Sequence, residues 1–572
     1  MRAAERWRGR TRFTVFYGDH GDGDGAALRT RLDAWRADPD KPPHLHLIAL
    51  SPDLMPGVHR IPQPDAGVTL DLVSSTLDAA LAQLAARVDL FVLDGLAQAG
   101  EAFARPLARV AAQDAVIDAR GLTPAQVGAL TAQGFVFDDA GRGSTQSARF
   151  ASRKPRPPSP PEPERRAIVL GAGIAGCAAA ERLCARGWDV TLVERHAQPA
   201  GEASGNRAGI FMPLVSKDDN IPTRLTRSAY LFALRHWAAL GGLQGGDALS
   251  DGLSDDLSGG PIEGQACGVL QLARDAEHAA VQRAIGAAGT LPREFAEWLE
   301  RPQAEALLGL PAPDGGWLFR QGGWARPGSV CAAMLAACGA KLTQRLGVGD
   351  VHIEAVAEGW RVLDALGTEI ARAPTLILAN GVGALRIPQA SALPLTAMRG
   401  QVTHVPAGLL PPLPLVLCRE AYLTPVAHGV CSAGATYDLD PDPALWPSSQ
   451  QENLERLRGL LSEPHAFENL PLQGRVGFRC IAPDRLPLVG RLPDVDALGG
   501  TERLRDVPRH PGLHTLLGYA SRGLIWAGWA AELLAAQLEG EPLPLESTLV
   551  DALDPARFVL RARRNPRAPQ GS

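Results

Sequence analysis

The sequence predicts an α/β protein of two doubly wound units in tandem, the second interrupted by a β-rich module. Three observations predict it. Two glycine-rich turns, at Gly21–Gly25 and Gly171–Gly176, each lie between an apolar strand-like run and a helix-like segment. The stretch SRKPRPPSPPEPERR (152–166) alternates charge with proline, has nothing to bury, and separates the two turns as a semi-rigid spacer. Near its end the chain returns to a strand, a glycine turn and a helix in LHTLLGYASRGLIWAGWAAELLAAQLEG (513–540).

The first unit, residues 1–151, alternates strand-like and amphipathic runs. RFTVFY precedes the first turn, and ALRTRLDAW after it is helix-like. HLHLIAL (44–50), GVTLDLV (67–73), VDLFVLDG (88–95), DAVIDA (114–119) and GFVFDD (134–139) are short apolar strands with helical stretches between them. In such sheets ligands sit at the carboxyl ends of strands, where the first turn lies. In residues 167–560, a strand and helix span 167–187. Helical patterns follow at Leu225–Leu240 and Ala276–Gly289, and β-rich runs lie around 316–324, 351–379, 398–404 and 421–436. An Arg-rich tail, 561–572, closes the chain.

Composition narrows the classes. With 45% apolar and 21% charged residues the 572-residue chain forms sizeable cores, and at roughly 100–200 residues per domain it holds about three or four of them. The net charge of −5 is mildly repulsive to nucleic acid, so a nucleic-acid partner needs local basic patches. The arginine-dense ends (Arg2, Arg6, Arg8, Arg10, Arg12; Arg557, Arg561, Arg563, Arg564, Arg567) are either solvated termini or phosphate-contacting arms. The eight cysteines form no Cys-x-x-Cys pair and no Cys/His cluster of zinc spacing, so reduced thiols in a cytoplasmic protein without a metal are expected. No apolar run approaches the ~20 residues that span a bilayer.

RAIVLGAGIAGCAAAERLCARGWDVTLVERH is the strongest motif. Gly171 permits a tight turn, Gly173 lets backbone approach a pyrophosphate, and Gly176 allows close helix–strand contact. The following strand ends in Glu194, suited to ribose hydroxyls, with Arg195 beside it. FAD is favoured over NAD. Only one intact loop of this kind lies in the second unit, TLILANGVGA runs a strand into a turn at Gly381, and Gly518, Ser521, Arg522, Gly523 and Leu524 open a helix. The dipole of that helix suits a negatively charged reduced ring.

These segments carry a resemblance. EASGNRAGIFMPLVS (202–216), GVLQL (268–272), QGGWARP (321–327), LTAMRGQV (395–402), YLTP (422–425), GATY (434–437), GRVGFRCIAPDRLPLVG (474–490) and SRGLIWA (521–527) resemble the glycine-oxidase/D-amino-acid-oxidase family of FAD enzymes. Within it they are most similar to the oxidoreductase half of the MnmC family, whose members finish 5-methylaminomethyl-2-thiouridine at the tRNA wobble position. The resemblance implies FAD-dependent removal of the carboxymethyl group from 5-carboxymethylaminomethyl uridine in tRNA. It also implies that Ser204, Gly205 and Asn206 meet the flavin or its ribityl chain, unless they merely cap a helix. Arg479, Arg485 and Arg522 are candidates to hold a carboxylate or phosphate through the guanidinium fork. Arg479 and Arg485 are equally candidates for structural ion pairs. Tyr422 and Trp324 are candidate pocket walls or core aromatics. Oxidases of free amino acids are expected to carry Arg after the proline of YLTP; here it is Val426.

The family's other half is an S-adenosylmethionine methyltransferase, which implies a Rossmann-like methyltransferase fold for residues 1–151. Its loop falls on Asp19, Gly21, Gly23 and Gly25 here, with Asp22 and Asp24 between the glycines. Its ribose acid falls on Ser51, its adenine-side Asp on Thr76, and its catalytic-face motif on Asp94-Gly95-Leu96-Ala97-Gln98. The glycines remain and the hydrogen-bonding anchors have changed, so weak or absent methyl transfer is expected. Two other readings stay open. The protein is an oxidase of a free amino acid or secondary amine of the glycine or sarcosine type, or its first unit is a docking module for tRNA.

Overall fold

A computed structural model of the chain describes residues 6–18, 25–63, 65, 67–96, 99–138, 145–151, 164–245, 260–461 and 472–564. The proline-rich segment through residue 163, the loop positions Asp19, Gly21 and Gly23, and the tail from residue 565 lie outside the described residues. Two compact units divide the chain: residues 1–163 with 535–551, and 164–534 with 552–572.

The first unit is one eight-stranded sheet. Its order is 57–61, 68–74, 44–50, 12–17, 88–93, 111–120, 145–150, 135–137. Strands 68–74, 44–50, 12–17, 88–93 and 111–120 are parallel, and the strands at both edges are antiparallel. The strand order reverses beside 12–17, so the crevice at its carboxyl end, above Gly18 and Gly25, is where such a sheet takes a ligand. Buried residues cover both faces. Phe16, Ile48 and Phe91 lie in one cluster, and Trp7, Phe13, Val15 and Trp35 in another.

Two strands of this sheet, Gly57–Ile61 and Thr145–Phe150, were not expected. Gly57–Ile61 sits between Pro56 and Pro62 and pairs with 68–74 at an edge, where prolines are tolerated. A single cut at 152–166 also leaves out the return of 535–551 to the first unit. Arg60 explains the return: its guanidinium, 3% exposed, grips Asp71 at 2.7 Å, lies 3.6 Å from Glu541, and donates to the Pro542 carbonyl at 2.6 Å. A buried cation of this kind needs all its donors answered.

Four of the arginines near the two ends are answered internally. Arg6 pairs with Asp118 and Arg10 with Asp89 in the first unit. In the second, Arg557 pairs with Asp484 at 2.9 Å and Arg561 joins the same carboxylate at 3.2 Å.

The second unit is built on a six-stranded sheet of order 342–345, 189–193, 166–170, 375–378, 509–517, 488–493, parallel except for the last strand. A three-stranded antiparallel sheet (352–356, 359–363, 369–373) leads into strand 375–378. The inserted module is an eight-stranded sheet of order 297–299, 316–319, 269–272, 416–418, 422–423, 430–434, 396–406, 473–481, beside a small sheet containing 209–211, 323–325 and 262–265. The long pair Thr396–Pro406 with Gln473–Ile481 runs antiparallel in unbroken register from Thr396 opposite Ile481 to His404 opposite Gln473. Helices Ile221–Ala239 and Ala276–Ala287 are those expected from the sequence, the first beginning four residues earlier because Asn220 caps it and Pro222 fits its first turn.

Candidate functional site

The loop after strand Arg166–Leu170 meets the geometric demands of its three glycines. Gly171 has φ +102°, and a Cβ there would stand 2.8 Å from the Asn380 Cα. A Cβ on Gly176 would stand 1.8 Å from the Gly171 carbonyl oxygen. Gly173, the N-cap of helix Ile174–Cys184, is extended, and a Cβ there would meet only the Ser204 hydroxyl at 3.4 Å. That hydroxyl accepts from the Ile174 amide at 3.0 Å, so the Glu202–Asn206 segment closes over the helix N-terminus. The Glu194 carboxylate is 7% exposed and accepts from the Ala172 amide at 2.6 Å and the His196 amide at 2.9 Å. It thereby ties the end of the second strand to the glycine turn.

Other expected cofactor residues gather around the same helix. Gly523 opens helix Gly523–Glu539, and a Cβ there would lie 3.3 Å from Ile174 Cγ2. Leu524 packs against Gly209 of the flanking segment. Gly518 and Gly381 take positive φ at the turns that follow strands 509–517 and 375–378. Ser521 is exposed at the helix start. Arg195, next to Glu194, pairs with Asp350 at 2.9 Å. Two residues that the sequence reading passed over belong here. Asn380 buries an unpartnered Oδ1 beside the glycine turn. Arg475 donates to the carbonyls of Gly201 at 2.8 Å and Glu202 at 2.6 Å and to Asn206 Oδ1 at 3.3 Å, pinning the 202–206 segment. Its signal was the alternation of Arg475 and Arg479 along one strand.

The candidate substrate residues lie where the long sheet meets the start of helix Gly523–Glu539. Arg479 donates to the Thr436 carbonyl at 3.0 Å and lies over the Tyr437 ring, 4.3 Å from its centroid. Tyr437, unassigned by the sequence reading, is 51% exposed. Tyr422 lies within electrostatic range of Arg479 and Tyr437, and burial pushes its hydroxyl up to about 12, so it stays protonated. Arg522 lies within range of Tyr437, Cys418 and Arg485, and burial lowers its pKa. Neither Arg479 nor Arg485 has a carboxylate partner among the described residues. Arg485 is exposed in a turn with φ +58°. Trp324 is 1% exposed in the strand between 209–211 and 262–265, which makes it core, with its indole N–H unpartnered.

A clearance only glycine provides, a helix N-terminus at the strand-order reversal, a buried carboxylate at the end of the second strand and the orphaned Asn380 Oδ1 together fit a dinucleotide such as FAD. In the first unit, Gly25 takes φ +68° at the start of helix Ala26–Ala37. The Thr76 hydroxyl accepts from the Ala79 amide at 3.4 Å and caps its own helix. Ser51 and Asp94 are half-buried just past strands 44–50 and 88–93. Ala97 and Gln98 lie outside the described residues.

Residues 166–537 match the family described as FAD dependent oxidoreductase, DAO. The chain is 39% identical to the tRNA 5-methylaminomethyl-2-thiouridine biosynthesis bifunctional protein MnmC of Burkholderia thailandensis, over 98% of this chain and 92% of that protein. It matches the protein of that name from Azoarcus sp. at 39% over the same shares. Among solved structures, glycine oxidase from Geobacillus kaustophilus superposes with a TM-score of 0.54 at 19% identity, covering 69% of this chain and 99% of that one, a likeness of fold.

Proposed function

Because the chain belongs to the MnmC family of bifunctional proteins and, over 166–537, to the FAD-dependent oxidoreductases, we propose that it converts 5-carboxymethylaminomethyl-(2-thio)uridine in tRNA to 5-aminomethyl-(2-thio)uridine. The observation that carries this reading within the site is Arg479. It is a guanidinium without a carboxylate partner among the described residues, held by the Thr436 carbonyl against a half-exposed tyrosine.

The substrate side chain is in effect an N-alkyl glycine. FAD bound in the glycine-turn crevice supplies a two-electron acceptor for the hydride of the methylene between nitrogen and carboxylate. Arg479 holds the carboxylate by its planar fork, and Arg522 adds positive charge nearby. Protonated Tyr422 donates a hydrogen bond without taking a proton. The amine gives up its proton to solvent as the C=N bond forms. Water then adds to that bond, releasing a two-carbon oxo-acid and leaving the aminomethyl base. Orientation of the methylene, rather than a strong protein base, is the main contribution of the chain.

Anaerobic mixing with tRNA bearing the modified base is expected to bleach the flavin, and glycine or sarcosine at the same concentration is not. Arg479→Met is expected to lower kcat/KM by about a hundredfold or more, the size of a lost charge-assisted pair at a reacting centre. Bleaching by sarcosine alone overturns the tRNA reading and favours the oxidase of a free amine. Val426, 47% exposed where that class is expected to carry Arg, speaks against it.

The first unit supports a methyltransferase-like reading through its parallel sheet and the left-handed Gly25. S-adenosylmethionine is its proposed ligand, and the resemblance assigns its contacts to Asp19, Gly21, Gly23, Gly25 and Asp94. Thr76 is committed to its helix cap, and a neutral Ser51 replaces an acid. Methyl transfer from labelled S-adenosylmethionine to tRNA carrying the aminomethyl base is therefore expected to be weak or absent, and robust turnover overturns that expectation. A tRNA substrate places the protein in the cytoplasm, and among the described residues no helix is long and apolar enough to cross a membrane.

A further inference from the structure

Beside the 202–206 segment lies a cavity of about 560 Å³, lined by Arg207, Arg326, Arg475, His404, Gln473 and Leu445 with two glycines. No acidic residue lines it among the described residues. Arg326 is offset by Glu263 at 2.9 Å. Arg475 has only Glu202 within electrostatic range, and Arg207 has no such neighbour among the described residues. The hydrogen bonds of Arg475 go to carbonyls and an amide oxygen, and Arg207 has no carboxylate partner among the described residues. Burial, with Arg207 and Arg475 nearby, pushes His404 down to about 4, so at neutral pH it is uncharged and adds a neutral donor or acceptor. A concave site with one uncompensated guanidinium, Arg207, beside two more is an anion site.

Its position narrows the anion. Arg475 and Arg479 alternate onto one face of strand Gln473–Ile481, four residues and therefore ~13 Å apart. That separation is comparable with the length of a nucleotide bearing a substituent at C5. We propose that the cavity binds a phosphodiester of the RNA strand next to the modified uridine, while Arg479 meets the end of the uridine side chain. This rests on the functional reading above. The shared chemistry, a phosphate diester, has a second source in the cofactor, whose pyrophosphate is expected at the adjoining Gly173 helix.

The test uses the full-length flavoprotein and an unmodified anticodon stem-loop RNA. Affinity is measured against salt concentration, and flavin content by absorbance. Arg207 is half-buried with no carboxylate to orphan, so Arg207→Ala is suited to folding normally. The expected result is binding weakened about five- to tenfold at low salt, with the slope of log K against log salt reduced by ~0.7–0.9, one phosphate contact. Flavin per chain is unchanged, and Arg207→Lys restores the slope. An unchanged slope with normal flavin overturns the site. Lost flavin with an unchanged slope assigns the phosphate to the cofactor and also overturns it. A wild-type protein that binds no RNA overturns the functional reading and this site together.

Discussion

Gly173→Ala purifies as a folded protein with flavin occupancy reduced tenfold or more. The backbone at Gly173 is extended, at φ −74° and ψ 179°, a conformation alanine adopts freely. The new methyl would meet only the Ser204 hydroxyl, at ordinary contact distance. The empty fold therefore has no reason to refuse it. A pyrophosphate drawn to the helix N-terminus does, because that position needs bare backbone. Gly176→Ala is the contrasting case. Its methyl would lie 1.8 Å from the Gly171 carbonyl oxygen, so the helix must move off the strand. That variant is expected to lose both flavin and stability, the latter by about 1–3 kcal/mol or more. The checks are the absorbance ratio at the flavin and protein bands and the thermal midpoint. A Gly173→Ala protein that stays fully yellow places the pyrophosphate elsewhere.

Arg60→Met destabilises the first unit by about 3–5 kcal/mol, the cost of leaving buried carboxylates unanswered. Asp71, also 3% exposed, loses both arms of a bidentate pair at 2.9 and 2.7 Å, and Glu541 loses its neighbour at 3.6 Å. The Pro542 carbonyl loses a donor as well. Hydrogen exchange over strands 57–61 and 68–74 and over 539–551 is expected to accelerate together, since one side chain joins them. Adding Asp71→Leu to Arg60→Met is expected to recover part of the loss by removing the orphaned charge. A single-variant loss below about 1 kcal/mol means that water reaches this group in solution and refutes the buried network.

How much was legible beforehand follows the range of the signal. The strands 12–17, 44–50, 88–93 and 166–170, the helix after Gly173 and the glycine spacing were legible because apolar periodicity and turn residues act within a dozen positions. The strand 57–61 was not, because flanking prolines speak for loop unless a neighbour supplies the other half of an edge pair. The terminal arginines read as a solvated or phosphate-seeking class, and their partners Asp118, Asp89 and Asp484 are far off in sequence. Arg475 and Arg479 stood four positions apart in one motif. Only the strand register set one against the 202–206 segment and the other over Tyr437.

The sequence by itself determined the fold class, the glycine-turn dinucleotide crevice and the family, because these rest on local backbone demands and on motif order that survive without a partner in space. The tertiary structure decided which charges are answered. It returned 535–551 to the first unit through Arg60, spent Arg6, Arg10, Arg557 and Arg561 on internal carboxylates, and left Arg479 and Arg207 without any among the described residues. Whether a guanidinium is structural or available depends on burial and on a counter-charge tens or hundreds of residues away, which only the folded chain brings within reach.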